Sequence, residues 1–234
     1  MLYKSFTMKK LLFALLILLS FNTVLAQKTN SFDENGKRHG VWKKKFKTGH
    51  LRYLGQFNHG KETGTFKYYK NNDSKYPHIT KEYNATNDKA IVKFYSRYGV
   101  IESTGTMQGK IRIGKWIYYH KDGKTIMVEE NYVDGKLHGE YKTYFANKKP
   151  TIIANYKNGL LDGSYKRYAV KGHIYQDLQY KEGKLNGKAI YHDRLTGKIK
   201  KEGIYKNDLK VGIWKFHVGG EVIEEEQIKR FKKK

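Results

Sequence analysis

The chain is 234 residues long, contains no cysteine and carries a formal net charge of +25. Without cysteine there are neither disulfides nor thiolate metal sites, and so basic a chain is drawn toward anionic lipid, polysaccharide or nucleic acid. Its 20 Tyr, 11 Phe and 3 Trp stand beside 23 Gly and only 2 Pro, at a mean hydropathy of -0.79, which fits thin aromatic cores between glycine turns better than a proline-rich disordered chain.

Residues 8–26 begin with the basic pair Lys9-Lys10, continue through an apolar run over 11–21 and end on Val24-Leu25-Ala26. That is the order of a cleavable export signal, with cleavage expected before Gln27. The apolar run is too short to cross a bilayer comfortably, which takes about 20 residues. Met8 is the better start than Met1, since M-K-K leads straight into the run. No cysteine follows it, so anchoring through a lipid-modified N-terminal Cys is excluded. The expected location is periplasmic, outer-envelope or secreted. Removing 1–26 takes away Lys4, Lys9 and Lys10 and no acid, so 47 basic residues become 44 against 22 acidic, a net charge of +22.

After a lead-in over 27–34, the chain repeats itself from 35 to 224. Marker glycines fall at Gly40, Gly64, Gly114, Gly139, Gly163, Gly187 and Gly212, at intervals of 24, 50, 25, 24, 24 and 25. The interval of 50 is two units, with a worn copy around 88–109. A fixed period of this size is the signature of a repeat array, of about eight units here. Upstream partners stand at Gly36, Gly60, Gly109, Gly135, Gly159 and Gly183, with Asp208 in the last unit. Asn35-Gly36, Asp134-Gly135 and Asn158-Gly159 are tight-turn dipeptides. A second break divides each unit, at Thr48-Gly49, Asn71-Asn72-Asp73, Asp122-Gly123, Lys171-Gly172, Thr196-Gly197 and Gly219-Gly220. Two turns per period leave two strands of ordinary length, so each unit is a β-hairpin. The second strands are expected at 51–57, 126–132, 152–156, 174–180 and 199–205. A basic tail over 225–234 is expected to end the sheet as a frayed arm.

Two residues after the marker stands an aromatic: Trp42, Phe66, Trp116, Tyr141, Tyr165 and Trp214, with Ala189 breaking the rule. Five after it stand Tyr69, Tyr119, Tyr144 and Tyr168, while Phe46 comes one later and Tyr191 and Phe216 one earlier. An offset of three puts the two aromatics on opposite faces of a strand, so both faces carry ring ladders. Lysines between them can lay their stems over the rings and keep the charge in water. Trp42, Lys44, Phe66, Tyr68, Trp116, Tyr118, Tyr141, Tyr165, Arg167 and Trp214 are therefore the candidate binding surface. The competing reading is structural: an open sheet needs rings for cross-strand packing and charges to discourage edge pairing.

In the recurring pattern G-x-x-x-G-x-[W/Y/F]-x-x-Y the chain resembles the MORN-repeat proteins, in particular their bacterial variant form. The units that carry the resemblance are G-K-R-H-G-V-W (36–42), G-K-E-T-G-T-F (60–66), G-K-L-H-G-E-Y (135–141), G-L-L-D-G-S-Y (159–165) and G-K-L-N-G-K-A (183–189). It covers about 36 to 223. The resemblance implies an elongated, open antiparallel sheet of successive hairpins and a role as a protein-interaction scaffold, in some cases at phospholipid membranes. Some bacterial variants carry an antitoxin label, a role the export signal argues against here.

Catalytic motifs are not evident. Gly55 to Gly60-Lys61-Glu62 and Gly109 to Gly114-Lys115-Trp116 approach a phosphate-binding loop but lack its Ser/Thr and open no helix. No G-x-S-x-G elbow or H-E-x-x-H pair occurs. His39, His59 and His138 share a turn position and are expected to face solvent, with no recurring carboxylate to complete a metal site. Glu224, Glu225 and Glu226 are expected on a solvated terminal strand. The expectation is an all-β, non-enzymatic, exported array with no cofactor or metal, presenting a basic aromatic surface to a protein or to an anionic lipid, membrane or envelope polymer, and not to nucleic acid. The alternative is a protein-directed scaffold, or an inhibitor or antitoxin-like binder, with no membrane role.

Overall fold

The computed structural model describes residues 28–72, 75–84 and 86–228. Among the described residues the regular elements are all strands, and 18 of them form an open antiparallel sheet. The first nine are β1 (Ser31–Phe32), β2 (Arg38–Lys45), β3 (Leu51–Asn58), β4 (Lys61–Tyr68), β5 (Ile79–Tyr83), β6 (Lys89–Tyr95), β7 (Ile101–Gln108), β8 (Ile111–Tyr119) and β9 (Ile126–Val133). The rest are β10 (Lys136–Leu137), β11 (Gly139–Tyr144), β12 (Pro150–Lys157), β13 (Leu160–Tyr168), β14 (Ile174–Lys181), β15 (Lys184–His192), β16 (Ile199–Lys206), β17 (Leu209–Val218) and β18 (Glu221–Ile228). Each strand pairs with the next in sequence except that β10 and β11, consecutive along one line, both pair with β9. The expected second strands lie within β3, β9, β12, β14 and β16, each within two residues at either end.

The sheet runs past both ends expected for the array. At the start, β1 pairs with β2 through Ser31–His39 and Phe32–Arg38. Asn30 adds two bonds: its N–H donates to Val41 O at 2.8 Å, and its Oδ1 accepts from the Lys43 N–H at 2.8 Å. The lead-in thus covers much of the β2 edge, which would otherwise present unpaired backbone groups. At the other end β18 stays in register to Ile228, opposite Gly212. The expected signal, 1–26, and the end of the expected tail, 229–234, lie outside the described residues.

All thirteen turn glycines expected from the repeat adopt positive φ. At Asp134-Gly135 and Asn158-Gly159 both central residues do, at 49° and 76° and at 52° and 88°. This is the two-residue turn whose twist matches the flanking strands, and it favours Asn or Asp followed by Gly. Each such tip is also fastened to the hairpin before it. The N–H of Gly60 donates to Arg38 O, Gly135 to Arg112 O, Gly159 to Leu137 O, Gly183 to Leu161 O and Asp208 to Leu185 O, at 2.8 to 3.1 Å.

Among the described residues the sheet has no second layer, yet Trp116, Trp214 and Val92 are wholly buried and Phe66 nearly so. Register explains how. Trp42, Phe66, Val92, Trp116, Tyr141, Tyr165, Ala189 and Trp214 occupy one row across alternate strands of one face. Beneath Phe66, Trp116 and Trp214 the neighbouring strand carries Gly55, Gly105 and Gly203, so the ring drops onto bare backbone. Closing aromatics pack edge-on from the side: Phe57 and Tyr83 against Phe66, Tyr205 against Trp214. Over each Trp ring lies a cation from four residues earlier on the same strand face: Arg38 at 5.0 Å from Trp42, Arg112 at 4.4 Å from Trp116 and Lys210 at 4.5 Å from Trp214. Backbone below and cation above do the work of a missing layer. Ala189 breaks the ring row because Leu178, on the strand before, fills the space a ring would take.

Candidate functional site: a lysine file on the polar face

The ten residues expected to form a binding surface all lie on the ring face, but that face is largely turned on itself. Phe66, Trp116 and Trp214 are core, and no partner can reach them. Trp42, Tyr68, Tyr118, Tyr141, Tyr165 and Arg167 are half-buried, and only Lys44 is exposed. The indole N–H groups are also committed: Trp42 donates to Ser31 O, Trp116 to Thr106 O and Trp214 to Ile204 O.

Polar groups on this face serve packing. Arg112 donates to the hydroxyls of Tyr118 and Tyr132, and Tyr132 donates to Glu130 Oε2 at 2.8 Å. Burial, reinforced by Glu130, pushes the phenols of Tyr118 and Tyr132 up. One hairpin pair earlier the charges are exchanged: Glu62 stands at the Arg112 position and Lys81 at that of Glu130. Burial first, and then the Glu62 charge, raise the Tyr68 phenol to about 12.

The histidines divide. The His39 and His59 rings lie 4.8 Å apart near the N-terminal end, and His59 Nδ1 sits 2.6 Å from Asp33 Oδ2. The N–H of Lys37 and then His59 hold the Asp33 carboxyl below its ordinary range. His138, expected to face solvent, instead has a buried Nδ1 without a hydrogen-bond partner, because it lies where β10 gives way to β11 against β9. Among the described residues no group of three or more His, Asp or Glu is arranged to hold a metal ion.

The opposite face carries a different row. Directly paired positions run Lys43, Leu54, Lys67, Thr80, Lys93, Thr104 and Ile117 across β2 to β8. The same row continues Glu129, Lys142, Ile153, Lys166, Asp177, Ile190, Glu202, Lys215 and Glu225 across β9 to β18. Six lysines thus stand in one file, most of them two strands apart, about 9.5 Å at the usual strand spacing.

The two halves of the file differ. Lys166 Nζ is 3.2 Å from Asp177, Lys215 is 3.1 Å from Glu225, and Lys142 is 2.6 Å from Glu140. Lys115, beside the file, pairs with Glu129 at 2.7 Å. In the first half the cross-strand partners are Leu54, Thr80 and Thr104. Among the described residues no carboxylate lies within ion-pair distance of Lys43, Lys67 or Lys93, and all three are exposed. No family model and no curated protein sequence matches the chain.

A lysine followed by no opposing acid is free to take an external one. Each exposed ammonium offers three donors and a fixed charge at ordinary pH. Alternating Thr, with Gln56, Thr65 and Thr106 beside the file, adds hydroxyl and amide groups. Glu82, exposed and next to Thr80 along β5, is the nearby acid on this face. The sequence signal for the file is simple: lysine three residues after the marker glycine, at Lys43, Lys67, Lys142, Lys166 and Lys215. Which lysines are neutralised is written on the neighbouring strand, and only register brings the two together.

Proposed function

We propose that the protein is an exported, non-enzymatic repeat array of the MORN-variant type that holds an anionic partner on its polar face. The observation that carries this reading is the exposed run Lys43, Lys67 and Lys93, with no carboxylate within ion-pair distance of any of the three among the described residues. The signal-like segment over 8–26 supports export, and the net charge of +22 left after its removal supports a polyanionic partner. Long-range attraction brings such a partner in, and direct ammonium contacts then hold it. The test is binding at low and at high salt to three probes: phosphatidylglycerol vesicles, an acidic polysaccharide and a neutral dextran. Salt-sensitive binding to at least one anionic probe, with none to dextran, is expected; no binding to either anionic probe at low salt overturns the reading.

A protein-directed reading draws on the far edge. The outer edge of β18 is unpaired among the described strands, and Val222 and Ile223 are exposed there, as strand addition by a partner requires. Recovery of one stoichiometric protein from an envelope fraction, abolished by Val222→Pro, favours this alternative.

A further inference from the structure

We infer that the anionic partner is a linear acidic polysaccharide lying across the strands, with its acid groups along Lys43, Lys67 and Lys93. This rests on the proposed function and narrows it to one class of polymer. Three features of the polar face carry it.

The first is dimensionality. The unpaired lysines form a line rather than a patch, and the line runs perpendicular to the strands because register keeps the three positions in one row. An extended chain satisfies a line of charges without bending. A lipid headgroup layer gains nothing from the alignment.

The second is interval. At two strands per lysine the charges recur at about 9.5 Å. Successive phosphates of a nucleic-acid strand advance by about 3.4 Å along a duplex, too closely spaced for one lysine each. A glycan with an acid on every second ring presents its charges at about the file's interval.

The third is the surface between the lysines. Leu54 and Thr80 occupy the intervening row positions, the exposed Glu82 stands beside Thr80, and alongside lie the hydroxyl and amide groups of Thr104, Gln56, Thr65 and Thr106. Such groups hydrogen-bond to sugar hydroxyls. Within β2 to β7 the exposed large apolar side chain is Ile91, whereas a membrane-seated face needs a band of Trp, Phe and Leu to enter the lipid. Tyr95, whose hydroxyl lies 3.4 Å from that of Thr80, adds a ring against which a sugar can pack.

The test uses the full chain and two triple variants that remove the same charge: K43Q/K67Q/K93Q and K142Q/K166Q/K215Q. The probe is a hyaluronan octasaccharide, a linear glycan with a carboxylate on every second ring, titrated at low salt. The first triple is expected to weaken binding about tenfold or more, as loss of three exposed charge contacts implies. The second is expected to stay within about twofold of the parent, because its lysines are already engaged. Circular dichroism of both variants confirms the sheet. Equal loss in the two triples overturns the file while leaving an anion-binding protein. Binding to phosphatidylglycerol vesicles but not to the glycan overturns the polysaccharide and favours a membrane. Polygalacturonate, acidic on every ring, bound tighter than hyaluronan at equal charge overturns the interval match. Failure of every anionic probe removes the proposed function itself.

Discussion

The indole of Trp116 rests on the backbone of Gly105, and a Cβ placed there would fall 2.2 Å from ring atom Cδ2. The same relationship joins Trp214 to Gly203 at 2.3 Å. These strand glycines have ordinary extended backbone, so their need for glycine is a matter of space rather than of φ. Gly105→Ala and Gly203→Ala are each expected to cost about 1–3 kcal/mol through overpacking. Denaturant unfolding followed by tryptophan fluorescence measures it, and a loss below about 0.5 kcal/mol contradicts the packing described.

The cations over the rings differ in what they leave behind. Lys210→Met removes a charge from above Trp214 but keeps the stem, at an expected cost of about 0.5–1 kcal/mol. Arg112→Met also strips Tyr118 and Tyr132 of a donor, and leaves Glu130, with a side chain 16% exposed, short of its cation. Its cost is expected to be larger, about 1–3 kcal/mol. Parallel unfolding curves give the order, and equal losses would mean that the Glu130 cluster contributes nothing.

Volume across the ring row predicts a coupled pair. Ala189→Trp alone drives an indole into Leu178 and is expected to destabilise by about 1–3 kcal/mol. Leu178→Gly alone opens a void at a cost of about 2–5 kcal/mol. Together they recreate the glycine-and-indole arrangement of Trp116 and Trp214, so the double variant is expected to recover at least about 1 kcal/mol relative to the sum. A double-mutant cycle reads the coupling directly.

Alkaline stability follows from the buried phenols. Burial, and then Glu62, raise Tyr68 to about 12; burial, and then the Tyr144–Glu129 hydrogen bond, raise Tyr144 to about 12. A raised phenol stays protonated in the folded chain where the unfolded chain has already ionised. The stability these groups contribute is therefore whole below about pH 10 and is lost as pH rises toward about 12. Glu62→Gln is expected to lower the Tyr68 midpoint only partway, since burial is the larger cause. Ring-labelled NMR titration of Tyr68 measures the shift.

Much of the architecture was legible because turns announce themselves locally. Asp134-Gly135 and Asn158-Gly159 name their turn type in two residues, and the spacing between such pairs leaves room only for strands. The 50-residue interval resolves into ordinary hairpins through β5, β6 and β7 even though Ala90 replaces the marker glycine. The expected surface was a different matter. Trp116 and Trp214 look like exposed ladder residues until register places Gly105 and Gly203 beneath them, and bulges set that register in ways composition does not reveal. Lys43 and Lys166 occupy the same repeat position and read alike in one dimension. Only the neighbouring strand, with Leu54 in one case and Asp177 in the other, makes one lysine available and the other spent.

The tip-to-tip fastening has a mechanical corollary. From Gly135 to Asp208 every hairpin is laced to its predecessor by a backbone bond, but between Gly60 and Gly135 no such bond forms among the described residues. There Gln108 reaches Asp88 through side chains instead. One margin of the ribbon is thus stitched along its C-terminal half and loose along the stretch that carries Lys67 and Lys93. Lys67 and Lys93 thus stand beside hairpins without this backbone cross-tie, whereas the acid-paired Lys142, Lys166 and Lys215 stand beside hairpins that carry it.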